Sequence, residues 1–365
     1  MQQIKMNLPG HEYNLFIERG LIKASSVIIC ELFKCKKIVI VSDKNVFGIY
    51  GKTVVEDLMV HGYEVHTVIL DPGEESKSIE NLQYIYDKLL GYSANRDTVL
   101  TALGGGVVGD ITGFVASTFL RGVRYIQIPT SVVSQVDSSI GGKVAVNLKR
   151  GKNLIGSFYH PSAVIIDPEV LNTLDERYFY DGMAEVIKYG IIRDEELFSN
   201  LEGYKNKNDI LANIEYIISR CCDIKKEIVE KDEKDTGERM LLNFGHTIGH
   251  GLEAYYDYKR YTHGEAVAVG MCEISRIGEQ LGLIKKGTKD RVKEILEQFH
   301  LPFRIEGADV EKLINIMKND KKSFDSGLNF ILIRKIGDAY IDKLDLNDVK
   351  RLLIAKEDRN GINKN

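Results

Sequence analysis

The chain has 365 residues, 44% hydrophobic and 28% charged, with a formal net charge of −4. That length holds two cores of ordinary domain size, and the slight acidity excludes the basic excess that nucleic-acid binding requires. No run approaches the roughly 18 apolar residues of a membrane span, and MQQIKMNLPGHEY lacks a signal peptide's apolar core, so a cytoplasmic protein with no membrane partner is expected.

The first half alternates strand and helix patterns. Apolar, β-branched runs occur at 37–42 (KIVIVS), 64–70 (EVHTVIL), 98–103 (TVLTAL), 124–128 (RYIQI) and 163–166 (AVII), with helical spacing at 78–90 between two of them. Strands alternating with helices predict a mainly parallel, Rossmann-like sheet covered on both faces. After about residue 174 the texture becomes helical, with apolar residues at i, i+3, i+4 spacing in 208–231, 236–256 and 264–281. The expectation is an α/β nucleotide-binding domain over 1–174 and a mostly α-helical domain over 175–365. A late strand at 329–334 is read as a sheet edge or a small hairpin, and the polar tail after 355 as frayed. The five cysteines are scattered and fit reduced thiols rather than a metal or redox set.

Three constellations carry chemistry. The first is Gly104-Gly105-Gly106-Val107-Val108-Gly109-Asp110, a GxGxxG pattern directly after a predicted strand and before an apolar helix. Such a loop lets backbone approach a pyrophosphate at a helix N-terminus. The acidic residue usual about 20 positions later is missing, but Asp43 ends the first strand, where a carboxylate can take ribose hydroxyls. A tight turn without ligand is the plain alternative.

The second is a histidine cluster. His246 and His250 are i, i+4 in a helical pattern, and tracing back gives Arg239, Asn243, His246 and His250 as one stripe of polar groups beside glycines. His263 opens the next helix, and Glu185 stands alone among apolar neighbours in AEVIK. Catalytic zinc-type sites take three such ligands and leave a position open. A single histidine would be read as a satisfied core residue; the set reads as a metal site. The third is cationic: Arg121-Gly122, then IPTS ending in Ser131, QVDSSIGGK ending in Lys143, and Gly151-Lys152-Asn153. Loops with surface lysines are the bland reading; together they suggest an anion pocket suited to phosphate.

GGGVVGD, RG followed by IPTS, QVDSSIGGK, GKNLIG, AEVIKYG, LNFGHTIGH and HGEAVAVG, in this order, resemble the 3-dehydroquinate synthase family of sugar phosphate cyclases, which make the first ring of the shikimate pathway. The resemblance runs from about residue 39 to 337. Departures are small: Ser131 where threonine is frequent, and Gly251 where alanine is usual. The resemblance implies a carbon–oxygen lyase that converts 3-deoxy-D-arabino-heptulosonate 7-phosphate to 3-dehydroquinate and phosphate, using NAD and one divalent metal, zinc or cobalt. It makes Glu185, His246 and His263 the metal ligands and turns His250 into a phosphate contact. It assigns NAD to Asp43, Glu74, Lys77, Gly105, Gly106, Val107, Val108, Gly109, Asp110, Thr130, Ser131, Asp137, Lys143, Lys152 and Thr173. Lys143, Lys188, Lys225, Arg239, Asn243 and His250 become the catalytic groups. Arg121, Asn153 and one of Lys321 or Lys322 complete the substrate's phosphate pocket, with Arg121 lent by the neighbouring subunit of a homodimer. The rival readings are a metal-dependent polyol dehydrogenase of the glycerol type, which has no use for the cationic cluster, a cyclase acting on another sugar phosphate, and a non-enzymatic NAD-binding regulator.

Overall fold

Each apolar run of the first half becomes a strand. The computed structural model describes residues 1–148, 151–320 and 328–361. They fall into two units, Met1–Phe179 with Asn213–Lys234, and Tyr180–Ala212 with Asp235–Asn365. The first unit is built on a seven-stranded sheet from β1 (Gln2–Leu8), β2 (His11–Ile17), β3 (Lys37–Asp43), β4 (Glu64–Leu70), β5 (Val99–Gly104), β6 (Tyr125–Pro129) and β9 (Ala163–Ile166). Their spatial order is β1-β2-β9-β6-β5-β3-β4. Only the β1–β2 hairpin is antiparallel; all other neighbours are parallel. β5, β6 and β9 are buried along their whole length, as expected of central parallel strands. The chain leaves β3 for β4 on one side, while β5 pairs with its other side. The carboxyl ends of β3 and β5, at Asp43 and Gly104, therefore flank the topological switch point, where open α/β sheets bind ligands.

Two hairpins escape the sequence reading. β1 alternates cleanly, with Ile4, Met6 and Leu8 inward, but over a short polar run. β7 (Lys143–Leu148) and β8 (Gly151–Phe158) pair antiparallel across the segment read as cationic loops. Helices α1 (Ile79–Gly91) and α2 (Gly106–Thr118) follow β4 and β5, and α3 (Glu176–Arg193) carries the chain into the second unit. α4 (Ile214–Lys231) belongs again to the first unit, packed on β1 and on the turn at Ser134–Ser138. The division expected after residue 174 therefore differs from the observed one. Helical periodicity identifies the apolar face of α4 (Ile217, Ile218, Cys221, Ile224, Ile228) without saying which core receives it.

The second unit is helical, with α3, α5 (His246–Tyr255), α6 (His263–Gln280) and further helices at Thr288–Gln298, Val310–Asp320 and Leu346–Gly361. The last of these corrects the frayed tail: an Asp345 carboxylate accepting the N–H of Asn347 (2.7 Å) starts it, and the backbone is helical through Gly361. The late strand is one arm of a hairpin, β10 (Leu328–Lys335) with β11 (Asp338–Leu344), turning at Gly337 (φ 85°).

The helix expected over 236–256 is interrupted. Glu238–Asn243 forms a 3₁₀ turn, Gly245 takes a left-handed conformation (φ 79°), and α5 starts only at His246. Arg239 and Asn243 thus do not share a helical stripe with the histidines. The break has a packing cause. A Cβ on Gly270 of α6 would lie 1.9 Å from the carbonyl oxygen of Gly245, and one on Gly249 would press on the Ala266 backbone at 3.0 Å. The two helices meet backbone to backbone along this seam, which brings their histidines together.

Candidate functional site

In the second unit, α3, α5 and α6 each deliver a side chain to one point. α3 is buried from Phe179 to Ile192, yet it carries Glu185 and Lys188, each 1% exposed and ion-paired with one another. The start of α6 lies directly against it: a Cβ on Gly264 would meet the Asp181 carbonyl oxygen at 1.9 Å. The Asp181 carboxylate accepts the backbone N–H of Glu265 (3.1 Å), and Thr262 and Glu265 form a reciprocal capping box. These contacts hold His263 in the first turn of α6, facing α3.

Glu185 Oε1 lies 3.5 Å from His246 Nε2 and 3.5 Å from His263 Nε2. It is buried, and among the described residues no group donates a hydrogen bond to it. Donor atoms about 2.0–2.2 Å from a tetrahedral zinc ion stand roughly 3.4 Å apart, so the two spacings fit donors sharing one cation. The other ring nitrogens agree. His246 Nδ1 lies 3.1 Å from the Phe244 carbonyl oxygen and His263 Nδ1 3.3 Å from the Glu253 carboxylate. Both partners accept a proton, so each Nδ1 carries a hydrogen and each Nε2 is the nitrogen turned towards a shared cation. His250, one turn along α5 and exposed, also joins: His246, His250 and His263 offer ring nitrogens all within 4.8 Å of one another. Two three-ligand sets thus share His246 and His263 and differ in Glu185 or His250.

The electrostatics suit a cation. Burial raises the Glu185 carboxyl, but the charge of Lys188, then those of His246 and His263, hold it well below the usual range. Burial drives His246 down to about 3 against the pull of Glu185. His263 goes the other way: burial lowers it, but the carboxylates of Glu185 and Glu253 outweigh that and take it up to about 10. Arg239 is buried, and Asn243 half-buried, in the 3₁₀ turn just before α5.

In the first unit the glycine loop divides its labour. A Cβ on Gly104 would strike Val108 at 2.7 Å and one on Gly109 the Gln127 Oε1 at 2.6 Å, so these two are needed for helix–strand packing. Among the described residues Gly105 has only Ser131 near it, at 3.5 Å, and it caps α2 with no side-chain hydrogen bond. Loop backbone and helix N-terminus thus fit the pyrophosphate of a dinucleotide. Lys77, buried, donates to both Asp110 Oδ2 and Asn153 Oδ1. Burial raises the Asp110 carboxyl, and Lys77 opposes it. Lys225, buried in α4, donates to the Asp137 carboxylate at 2.9 Å. Asp43 caps the following turn, accepting from Asn45 (2.9 Å) and Val46 (3.0 Å). The Glu74 carboxylate accepts from Asn147 (2.7 Å), Thr130 is buried beside Gly104, and Ser131 is bonded to Ser134. Lys143 is exposed, Lys152 is half-buried, and Thr173, exposed, is held by Tyr50 (2.6 Å). Arg121 is exposed in a left-handed conformation (φ 67°), between Leu120 (φ 49°) and Gly122 (φ 121°). Lys321 and Lys322 lie outside the described residues.

Sequence reasoning missed Glu253, Asp181 and Asn147. Glu253 was within reach, because continuing the stripe forward from His246 and His250 gives Glu253 at i+7. Asn147 sits on an unforeseen hairpin: it bonds Glu74, its N–H reaches the Lys77 carbonyl (2.7 Å), and it accepts from the Asn153 N–H (2.9 Å).

The family model described as 3-dehydroquinate synthase N-terminal matches residues 67–181, and that described as 3-dehydroquinate synthase C-terminal matches 182–323. The curated 3-dehydroquinate synthase of Clostridium beijerinckii is 52% identical over 346 residues, covering 95% of this chain and 99% of its own. Among solved structures, the 2-epi-5-epi-valiolone synthase of Streptomyces hygroscopicus with NAD+ and Zn2+ bound has a TM-score of 0.87 at 26% identity, over 97% of this chain and 99% of the other. 2-Deoxy-scyllo-inosose synthase, complexed with carbaglucose-6-phosphate, NAD+ and Co2+, also reaches 0.87, at 23% identity and over 96% and 99% of the two chains; it shares the fold.

Proposed function

The chain belongs to the 3-dehydroquinate synthase family, and we propose that it converts 3-deoxy-D-arabino-heptulosonate 7-phosphate to 3-dehydroquinate and phosphate as a cytoplasmic, NAD-dependent metalloenzyme. The observation that carries this reading is the paired family match across residues 67–323, in a chain 52% identical to a curated member. Glu185, His246 and His263 hold the divalent cation, zinc or cobalt, because the buried, unbonded Glu185 oxygen already stands equidistant from the two Nε2 atoms. His250, exposed and next to them, is left for the substrate's phosphate, with Arg121, Asn153 and one of Lys321 or Lys322. The loop 105–110, with Asp43, Glu74, Lys77, Thr130, Ser131, Asp137, Lys143, Lys152 and Thr173, holds NAD.

Bound NAD supplies the acceptor and donor for a hydride at one ring hydroxyl, and the cation supplies the Lewis acidity that lowers that hydroxyl's pKa. With NAD bound, a transient ketone at that hydroxyl would acidify the neighbouring C–H, so that loss of its proton would expel phosphate, and re-reduction would leave no net oxidation before the ring opens and closes as a carbocycle. This chain's part is electrostatic. Lys188 and Arg239, both buried in the second unit, carry charges that water screens little and that suit a developing enolate and the substrate's carboxylate, and Lys225, buried in the first unit, is assigned to the substrate by the family resemblance alone. Lys143 and Asn243 orient the hydroxyls. The C–H proton passes to the substrate's own phosphate, which relieves the chain of a dedicated general base.

The active form is a homodimer in which Arg121 reaches the neighbour's substrate. Two observations support this: Arg121 is exposed on a backbone turn with three consecutive positive φ values, and the β7–β8 hairpin exposes Leu148, Leu154, Ile155 and Phe158. The test incubates the metal-loaded protein with the heptulosonate phosphate and catalytic NAD, following phosphate release and NADH absorbance together. Stoichiometric phosphate without accumulating NADH is expected. Steady NADH formation with glycerol, and no phosphate release, would replace this reading by the polyol dehydrogenase.

A further inference from the structure

We propose that Glu253 is a positioning residue of the metal centre, its carboxylate accepting the Nδ1 proton of His263 so that the Nε2 lone pair points at the cation. Glu253 is 4% exposed on α5, two turns after His246 on the same face, and its Oε2 lies 3.3 Å from His263 Nδ1. A carboxylate rarely goes into a protein interior unless a partner there balances it. This one addresses the ring nitrogen that faces away from Glu185, while the other nitrogen of the same ring lies 3.5 Å from Glu185 Oε1. One imidazole is therefore held between two acids, one on the ligand side and one behind it.

The arrangement does two things to His263. Its ring plane is fixed by a bond from α5 across to α6, so the orientation of the ligand no longer depends on its own rotamer preference. The partial negative charge placed behind the ring raises the basicity of Nε2, which strengthens its bond to a cation. His246 obtains the same orientation from the Phe244 carbonyl (3.1 Å), a backbone group that follows from the break at Gly245. At His263 a side chain, the Glu253 carboxylate, takes that part. Whether the third ligand is Glu185 or His250 does not alter this, since both sets contain His263. The inference rests on the reading of His263 as a ligand.

The test uses full-length, metal-stripped protein and Co2+ as probe. Affinity is measured by competition with a chelator, coordination by the visible absorption of the bound ion, and folding by the thermal melt of the metal-free protein. Glu253→Ala should bind Co2+ about 10–100-fold more weakly, with an altered absorption envelope and a metal-free melt near that of the parent. Glu253→Gln, which keeps an acceptor oxygen without the charge, should recover part of the affinity, and its kcat should return at saturating metal. If Glu253→Ala does not fold, the glutamine variant decides through the same affinity and spectrum. His263→Ala separates the two levels. Should it lose Co2+ while both Glu253 variants keep parental affinity and spectrum, the positioning role is overturned and the ligand reading stands. Should His263→Ala itself bind Co2+ like the parent, the ligand reading fails, and the role of Glu253 with it.

Discussion

Replacing Gly264 by alanine tests whether backbone contact between α3 and α6 forms the metal centre. A Cβ there lies 1.9 Å from the Asp181 carbonyl oxygen and 2.7 Å from its Oδ1, whereas real Cβ atoms essentially never come within 3.0 Å of such atoms. Neither helix offers a flexible side-chain end to give way at the carbonyl, so the two must separate by at least about 1 Å. Metal ligands tolerate displacements of about 0.2 Å, and the 3.5 Å approach of His263 to Glu185 spans this same junction. The substitution should therefore weaken Co2+ binding by about 10–100-fold or more, and destabilise the metal-free protein by about 1–3 kcal/mol. Co2+ titration followed by absorbance reads the first effect, and a calorimetric melt the second. Gly251→Ala is the control on the neighbouring helix. Its Cβ meets Met317 Cγ at 2.8 Å and Leu313 Cδ1 at 3.1 Å, side-chain ends that rotate away. It should leave metal affinity unchanged and shift stability by less than about 1 kcal/mol. A folded Gly264→Ala protein with parental Co2+ affinity would refute the reasoning.

His246→Ala should lose the metal and with it nearly all turnover, while His250→Ala should keep the metal and lose phosphate release; metal analysis beside the phosphate assay checks both, and the reverse pattern would make His250 the ligand. Metal binding should release about one proton near neutral pH, because His246 at about 3 is already neutral and His263 at about 10 is charged. The sign follows from His263 being raised above its ordinary 6.5: its contribution to metal-free stability is full below that value and is lost as pH climbs towards 10, while metal affinity rises over the same window. Calorimetric titrations in buffers of differing ionisation enthalpy count that proton. Mixing inactive Arg121→Ala and His246→Ala proteins should restore activity in hybrid dimers, to about a quarter of the parent if subunits exchange at random; no recovery, with exchange demonstrated, would place Arg121 outside the neighbour's site.

The fold was legible wherever burial imposes a period. β3, β5, β6 and β9 stand out because central parallel strands are apolar along nearly their whole length, and α6 because its apolar face repeats at helical spacing. The β1–β2 hairpin was not, since β1 alternates over a short polar stretch that also suits a loop, nor was β7–β8, whose second strand is not buried at any position. Period alone could not place α4, because an amphipathic face says that it is buried and not against what. The break before α5 was hidden for a different reason. Gly245 reads as one tolerable glycine in a helical pattern, and only the neighbouring backbone of Met271 and Val267, within 2.8 Å of where its Cβ would sit, shows why that residue turns left-handed.

The candidate site carries the same distinction into chemistry. Residue types and local spacing suffice to nominate His246, His250 and His263, but spacing favours the i, i+4 pair and cannot rank Glu185 against His250. Burial ranks them. Glu185 has already been desolvated at the cost that any buried carboxylate bears, and Lys188 meets one of its oxygens while the other faces the Nε2 atoms of both histidines. A cation placed there satisfies that oxygen and takes the place of the proton on His263, so the local charge rises by one unit whatever the surrounding groups carry. In an interior of low polarity that added charge acts on any oxygen brought to it, and it favours the anionic form of a hydroxyl over the neutral one. In the proposed site the buried glutamate, the displaced proton and a lowered hydroxyl pKa would be three consequences of one arrangement, which three helices produce by meeting where glycines let their backbones touch.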